Sequence, residues 1–535
     1  MSKKWSVLLL TVVMIASLAG CGRSGGASAG TDAGSEKVDI IMLRIGNEQD
    51  PRQDRMLLEL QKRVNIELEI ITVGWGENEK VRLMMASQDR IDLLNYDPGT
   101  DLNDWVKNGL MYSFDELIGN SGKYPLVNAV MNSEVYKNLK IDGKAYCRPM
   151  ALAPQHWGFM IRQDWLDNLG MSIPTNIDEL YDVMYAFTYG DPDMDGQDNT
   201  VAAQLRFQNG GASGHRIFGY IHRAFALSGG TGTFTELADG SLVAWEASDN
   251  ARESSRFIQK IIADGLINRD FLNLSFDNSE GLESDDFALG RFGIAHASVP
   301  SQFLDKLREE NPDGKIVQLA PIQGVNGVPA NEGHSGGFWR ASMIPKTSKH
   351  PQRVLDLLEY THTFEGRELT MYGVEGVNFT EKEFVDGTWV YTLDKDECAK
   401  DWNIAANGFV YPLSWDGFNY WEHAYLPISE NNYDYDKAFA NIIWLKDSDS
   451  FGEPLLDNFV SFSTSYAKPR PLMNVMDEEL LADATKLNAI FEEGWIKAVM
   501  ASANDFDGIW DAMVSDYLSN GGQARIDRAN ALYGK

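Results

Sequence analysis

The chain has 535 residues, 47 Lys and Arg against 78 Asp and Glu, and a formal charge of −31. Its 3 cysteines cannot staple a chain of this length, so an apolar core must hold it, and 44% hydrophobic residues supply one and exclude the disordered class. An acidic excess of this size also excludes nucleic acid and anionic lipid surfaces as partners, because both are bound by basic patches that displace counterions.

In chain order, residues 1–20 read as an export signal. Lys3 and Lys4 make a positive start, and the apolar run from Trp5 to Ala16 falls short of the about 20 residues that span a bilayer. Leu18-Ala19-Gly20-Cys21 resembles the bacterial lipobox, which makes Cys21 the expected lipid-bearing first residue of the mature chain. Loss of Lys3 and Lys4 with the signal takes the formal charge from −31 to −33. Residues 22–36 hold Gly, Ser, Ala and a few polar side chains with nothing large to pack, a tether with a span of roughly 20 Å that completes a 21–36 anchor segment. Cys147 and Cys398 remain; they read as two small buried thiols, with a disulfide between them left open.

The folded part opens as strand, helix, strand, helix, strand. Residues 38–43 are strand-like, and 53–64 carry Met56, Leu57, Leu60 and Val64 at helical spacing. Residues 66–70 alternate as a strand, 77–87 form a helix through Val81, Leu83, Met84 and Met85, and 91–94 form a third strand. Such alternation predicts a mostly parallel sheet covered by helices, with ligands held beyond the carboxyl ends of its strands, where Asn95-Tyr96-Asp97-Pro98-Gly99 falls. Further helices are expected over 177–187, with Asn176 as its cap, and over 248–266, 351–360, 478–498 and 506–518. Ile509, Trp510, Met513 and Tyr517 form a core-facing stripe on the last of these.

Two segments carry chemistry. From Asp191 to Thr200 side-chain oxygens recur at every second position and Gly196 takes the sixth place, the opening of an EF-hand-type calcium loop. Asp191, Asp193, Asp195 and Asn199 are the expected side-chain ligands and Gln197 the backbone ligand; Ala202 stands where a full EF-hand has its bidentate Glu. The alternative is a solvated acidic turn. Gly333-His334-Ser335-Gly336-Gly337 matches a G-x-S-x-G nucleophile pattern, but a Gly- and Pro-rich stretch precedes it where a strand is required, so Ser335 is read as part of a loop. H-E-x-x-H, C-x-x-C and G-x-x-x-x-G-K-[ST] patterns are absent from the sequence, leaving a zinc hydrolase or nucleotide enzyme without support.

Several stretches resemble the family 1 extracellular solute-binding lipoproteins of ABC importers, which mostly serve sugars and oligosaccharides. They are Ile141-Asp142-Gly143-Lys144-Ala145-Tyr146 with Pro149, Ile161-Arg162-Gln163-Asp164-Trp165-Leu166, Ile173-Pro174-Thr175-Asn176, Ala263-Asp264-Gly265-Leu266-Ile267 and Tyr372-Gly373-Val374-Glu375-Gly376-Val377. The resemblance implies an α/β, two-lobe periplasmic-binding-protein-like fold, a ligand cleft between the lobes, and a structural calcium ion in the 191–199 loop. The expected division is 37–150 with 290–345 as the N-terminal lobe and 151–289 with 346–535 as the C-terminal lobe. Also implied are a carbohydrate ligand, ABC permease transmembrane subunits as partners, a lipid anchor on the extracellular face of the cell membrane, and a monomer that makes and breaks no covalent bond. A secreted carbohydrate-active hydrolase, or a binder of a peptide or other solute, is the alternative.

Sugar rings stack their apolar faces on aromatic side chains while their hydroxyls need charged or amide partners. Of the 14 Trp, those in loop-like settings beside polar groups are therefore the expected ligand contacts: Trp75, Trp157, Trp339 with Arg340, and Trp415. Tyr96 with Asp97 at a strand end joins them, and Arg148 is expected to hold an acidic sugar.

Overall fold

Parallel strands form where apolar residues must be buried on both faces, and the first strand of this chain meets that condition. In a computed structural model, which describes residues 36–400 apart from short stretches (the longest 205–215, 273–284 and 324–337) and 471–534 apart from 473–474, β1 (Val38–Ile45) buries Ile40 and Met42 on one face and Leu43 and Ile45 on the other. The other strands are β2 (Ile66–Val73), β3 (Leu93–Tyr96), β4 (Arg148–Ala151), β5 (Gly158–Arg162), β6 (Val201–Ala203), β7 (Phe234–Glu236), β8 (Leu242–Ala244), β9 (Phe292–Ala297), β10 (Ile316–Leu319), β11 (Phe338–Met343), β12 (Phe379–Val385) and β13 (Thr388–Leu393).

Two sheets organise two lobes. The first has the order β2-β1-β3-β11-β4, with β1 parallel to β2 and β3, and with β11 antiparallel to both β3 and β4. The second has the order β10-β5-β9-β6; it is antiparallel except for the β6–β9 pair, so the early strand-helix alternation does not continue through it as a parallel sheet. Hairpins β7–β8 and β12–β13 complete the strand pairing among the described residues.

Most helix boundaries follow local chemistry. Asp54 caps the helix Arg55–Val64 by accepting from the Leu57 amide at 2.9 Å, and Asn176 caps Ile177–Tyr189 through the Glu179 amide at 3.0 Å. Ser248 does the same for Asp249–Ala263. The expected helix over 478–498 is instead two, Glu478–Leu481 and Ala484–Val499, separated where Asp483 takes a left-handed conformation with φ 58°. β3 begins at Leu93, two residues later than expected, so Asn95 and Tyr96 belong to the strand itself.

The lobe division also differs from the one expected. β9 and β10 occupy the two edges of β5 in the second sheet, so of the 290–345 segment only β11 joins the first. Within 346–535, the helices Pro351–His362 and Phe364–Tyr372 place Val354, Leu355, Leu357, Leu358 and Leu369 in one cluster with Ile40, Met42 and Leu57. The C-terminal helices bury Leu487, Phe491, Trp495, Trp510 and Tyr517 in one cluster with Ile161 and Ile294 of the second sheet and Trp165 of the helix Gln163–Leu169. The expected stripe on Phe506–Tyr517 is core, with Ile509 partly buried beside it.

Charged groups inside this frame are tied down. Asp92 is fully buried and accepts from the Ile41 amide at 3.0 Å, the Lys349 amide at 2.7 Å, the Ser348 hydroxyl at 3.0 Å and the Arg90 guanidinium at 2.9 Å. Glu359 receives the Leu126 and Val127 amides at 2.9 and 2.8 Å and so closes the free end of the helix Pro125–Met131. Cys147 is a buried free cysteine; burial pushes its thiol up to about 12 and keeps it protonated at neutral pH. Cys398 lies outside the described residues. Among the described residues no helix is long and apolar enough to cross a membrane.

Candidate functional site

At the carboxyl ends of β1 and β3 a polar row crosses the first sheet from strand to strand. Cross-strand register aligns Thr72 with Arg44, Arg44 with Asn95, Asn95 with Ser342, and Ser342 with Arg148. Arg44, Asn95, Ser342 and Arg148 are all buried. Burying two guanidiniums is tolerable only where hydrogen bonds hold them. Arg148 donates through Nε to His362 Nε2 at 2.8 Å and through Nη1 to Ser342 Oγ at 3.3 Å. His362 comes from the last turn of Pro351–His362 and is itself buried. The row forms a buried polar floor that carries two guanidiniums beneath the strand ends where α/β folds hold ligands.

The expected contact residues fall around this floor unevenly. Arg148 is part of it, buried and pinned. Asp97 is exposed just past the end of β3. Ala341 pairs with Tyr96, and Trp339 and Arg340 precede it in β11. Tyr96 departs from the expectation of a ring open to ligand: it is core, 2% exposed, packed on Trp105 with centroids 5.6 Å apart. Its hydroxyl donates to Asp101 at 2.8 Å, and burial together with that carboxylate pushes the phenol well above its ordinary value. Trp75, Trp157, Trp415, Cys21 and Ser335 lie outside the described residues. Arg44, Asn95, Ser342 and His362 were not among the expected residues. The one available signal was Arg44, a charge that interrupts the apolar run Ile40–Ile45.

A second site lies in the loop between Ile177–Tyr189 and β6. Carboxylate oxygens of Asp191, Asp193 and Asp195 come within 4.8 Å of one another, the one such cluster among the described residues. Left-handed φ values at Asp191, Met194 and Gly196 curl the chain around them. Asp191 accepts from the Gly196 amide at 3.2 Å; Asp195 accepts from the Gln197 amide at 2.7 Å and from the Asn199 side-chain nitrogen at 3.0 Å. All five expected ligand residues are thus drawn into one turn, although only the three Asp converge by their carboxylates. Burial holds the Asp193 carboxyl above its ordinary range, and the charges of Asp195 and Asp191 add to the shift. Like-charged oxygens this close fit a hard divalent cation, which takes six to eight oxygen ligands at about 2.3–2.6 Å. The loop is anchored from outside, as Asn168 donates to the Pro192 carbonyl and Thr200 to the Phe187 carbonyl, both at 2.8 Å.

Against known proteins, the model of the bacterial extracellular solute-binding protein family matches residues 46–361. The polygalacturonan/rhamnogalacturonan-binding protein YtcQ of Bacillus subtilis is 29% identical over 428 residues, which is 77% of this chain and 80% of that one. Among solved structures, the alginate-binding protein AlgQ2 without calcium ion superposes with a TM-score of 0.68 at 19% identity, covering 96% of this chain and 100% of that one. An EF-hand mutant of the ABC-transporter substrate-binding protein FusA from S. pneumoniae, in complex with fructo-nystose, gives 0.66 at 17% identity over 93% and 99%.

Proposed function

We propose, from the premise that the chain belongs to the family of bacterial extracellular solute-binding proteins, that it captures an acidic oligosaccharide outside the cell and delivers it to an ABC permease. The observation that carries this reading is the likeness to a polygalacturonan/rhamnogalacturonan-binding protein across 428 residues. The floor that carries Arg44 and Arg148 supports it from the side of chemistry, since guanidiniums placed beneath the strand ends are the groups that bind carboxylates such as those of a uronate. Asp97, Trp339 and Arg340 supply polar and aromatic contacts at that edge, and Trp75, Trp157 and Trp415 complete the ligand set in this reading. Two lobes, 37–151 with 338–393 and 158–323 with 475–533, close on the sugar because the closed state alone makes contacts from both sides. Docking on the permease reopens them, and no covalent bond changes.

The test is thermal unfolding of residues 22–535 with galacturonate oligomers, neutral oligomers and monosaccharides, followed by analysis of the sugar recovered. At a hundredfold excess over the dissociation constant a specific ligand adds about 2.7 kcal/mol. Stabilisation by galacturonate oligomers, recovered intact, is the expected result. Cleaved product would make the protein a hydrolase, and stabilisation by neutral chains alone would remove the role given to the arginines.

The membrane end of the reading rests on Cys21. Lipidation there leaves the mature protein on the outer face of the membrane with a tether of roughly 20 Å. Cys21→Ser is expected to move the protein wholly into the soluble fraction when cells are fractionated; persistent membrane association would overturn the anchor. A structural calcium ion, held by Asp191, Asp193, Asp195, Asn199 and the Gln197 carbonyl, completes the proposal. Bound there, it offsets two of the three carboxylate charges and ties the end of Ile177–Tyr189 to the start of β6.

A further inference from the structure

The residues Val475–Leu480 pack against both lobes at once. Val475 lies against the second core and Leu480 is buried in it, while Asp477 receives Arg528 of the helix Gln523–Tyr533 at 2.9 Å and Glu479 lies 3.2 Å from the same guanidinium. The residues between them turn the other way. Met476 packs on the first-sheet core built from Leu94, Leu102 and Trp105, and on the larger cluster to which both sheets contribute. Glu478 pairs with Lys107, on the helix Asp101–Lys107 that carries Leu102 and Trp105, at 2.6 Å. This carboxylate raises the Lys107 ammonium above its ordinary value through the hydrogen bond between them.

We infer that Val475–Leu480 is a strap that sets the balance between lobe arrangements, with Met476 and the Glu478–Lys107 pair as its releasable half. The inference rests on the two-lobe, closing reading above but on none of its claims about the ligand. The side facing the second lobe is the firmer, with a buried leucine and a two-acid clasp on Arg528. The side facing the first lobe is one partly buried methionine and one exposed ion pair, the kind of contact that can be made and broken at small cost. Lobe motion therefore separates the strap from Lys107 while it stays on the second lobe. A docking partner that competes for Lys107 or Glu478 would shift the same balance from outside.

The experiment measures interlobe distance by pulsed electron paramagnetic resonance, without any sugar. Spin labels are placed at Leu83→Cys and Met500→Cys, both exposed, in residues 22–535 carrying Cys398→Ser; Cys147 is buried and stays unlabelled. Glu478→Lys is expected to lower the population of the parent arrangement relative to its alternative about two- to fivefold. Lys107→Glu should do the same, and the Lys107→Glu/Glu478→Lys double reversal should restore the parent distribution. Met476→Ala should move it in the same direction through the apolar contact. Salt at about 1 M, where the screening length is about 3 Å, should mimic Glu478→Lys in the parent and add little in that variant. Unchanged distributions in Glu478→Lys and Met476→Ala would overturn the inference, as would a double reversal that fails to restore what either single change shifted. Failure of the sugar screen would leave all these outcomes as they are.

Discussion

Asp92→Asn is expected to destabilise the first lobe by about 3 kcal/mol, one of the two largest effects predicted for this protein. Both carboxylate oxygens are in use: Oδ1 takes the Lys349 amide and the Ser348 hydroxyl, Oδ2 the Ile41 amide and the Arg90 guanidinium. An asparagine keeps the shape but turns two N–H donors toward groups that are themselves donors, and removes the charge facing Arg90. Because Asp92 is fully buried, water cannot replace the lost partners. The residue joins β1, the approach to β3 and the loop after β11, three segments far apart in sequence. Urea unfolding followed by circular dichroism should show the earliest transition moved to lower denaturant. Ser348→Ala, which removes one neutral donor, should cost about 1 kcal/mol. A change below about 1 kcal/mol for Asp92→Asn would mean that the donors find other acceptors.

Removal of calcium should have an effect of similar size. At a free concentration a hundred times the dissociation constant, an ion bound only by the folded state contributes about 2.7 kcal/mol, and chelation withdraws it. The melting midpoint of residues 22–535 should therefore fall in chelator and recover on adding calcium, while Asp193→Asn should be insensitive to either. Terbium offers a direct readout. Trp165 Cζ2 and Asp193 Oδ2 lie 3.8 and 3.5 Å from one and the same point, the position a Cβ would take on Gly290, so the indole stands beside the loop. Excitation of tryptophan should give terbium emission that calcium competes away and Asp193→Asn abolishes. An unchanged midpoint together with silent terbium would reduce the loop to a solvated acidic turn.

What could be read from the residues alone was local. Asn176 before a helical pattern announces a cap, and β1, β2 and β3 with their intervening helices announce a parallel sheet, because each signal sits within a few residues of its effect. The break at Asp483 was hidden, since the apolar spacing runs on across it and only a backbone angle interrupts the helix. Tyr96 misled for a related reason: a tyrosine beside an aspartate at a strand end reads alike whether its ring faces solvent or Trp105. The polar row needed the pairing of β1, β3, β11 and β4, which brings residue 44 next to 95, and 342 next to 148. Pairing of strands hundreds of residues apart also decided the lobes, and sequence order gave no warning that β9 and β10 flank β5.

The place of β11 has a consequence for how the molecule is made. The chain of an extracellular binding protein emerges on the outer side of the membrane N-terminus first, so β1, β2 and β3 are available there before residues 338–343 arrive. Until then β3 has one open edge, and β4, whose only partner in the first sheet is β11, has nothing to join. The entire second sheet emerges inside that interval. Non-local pairing of this kind is slow, and an open strand edge is a template for pairing with other chains. The nascent first lobe is thus a sheet with its keystone missing, and a holding chaperone or slow delivery of the chain should raise the yield of folded protein far more than it changes the stability of the finished one.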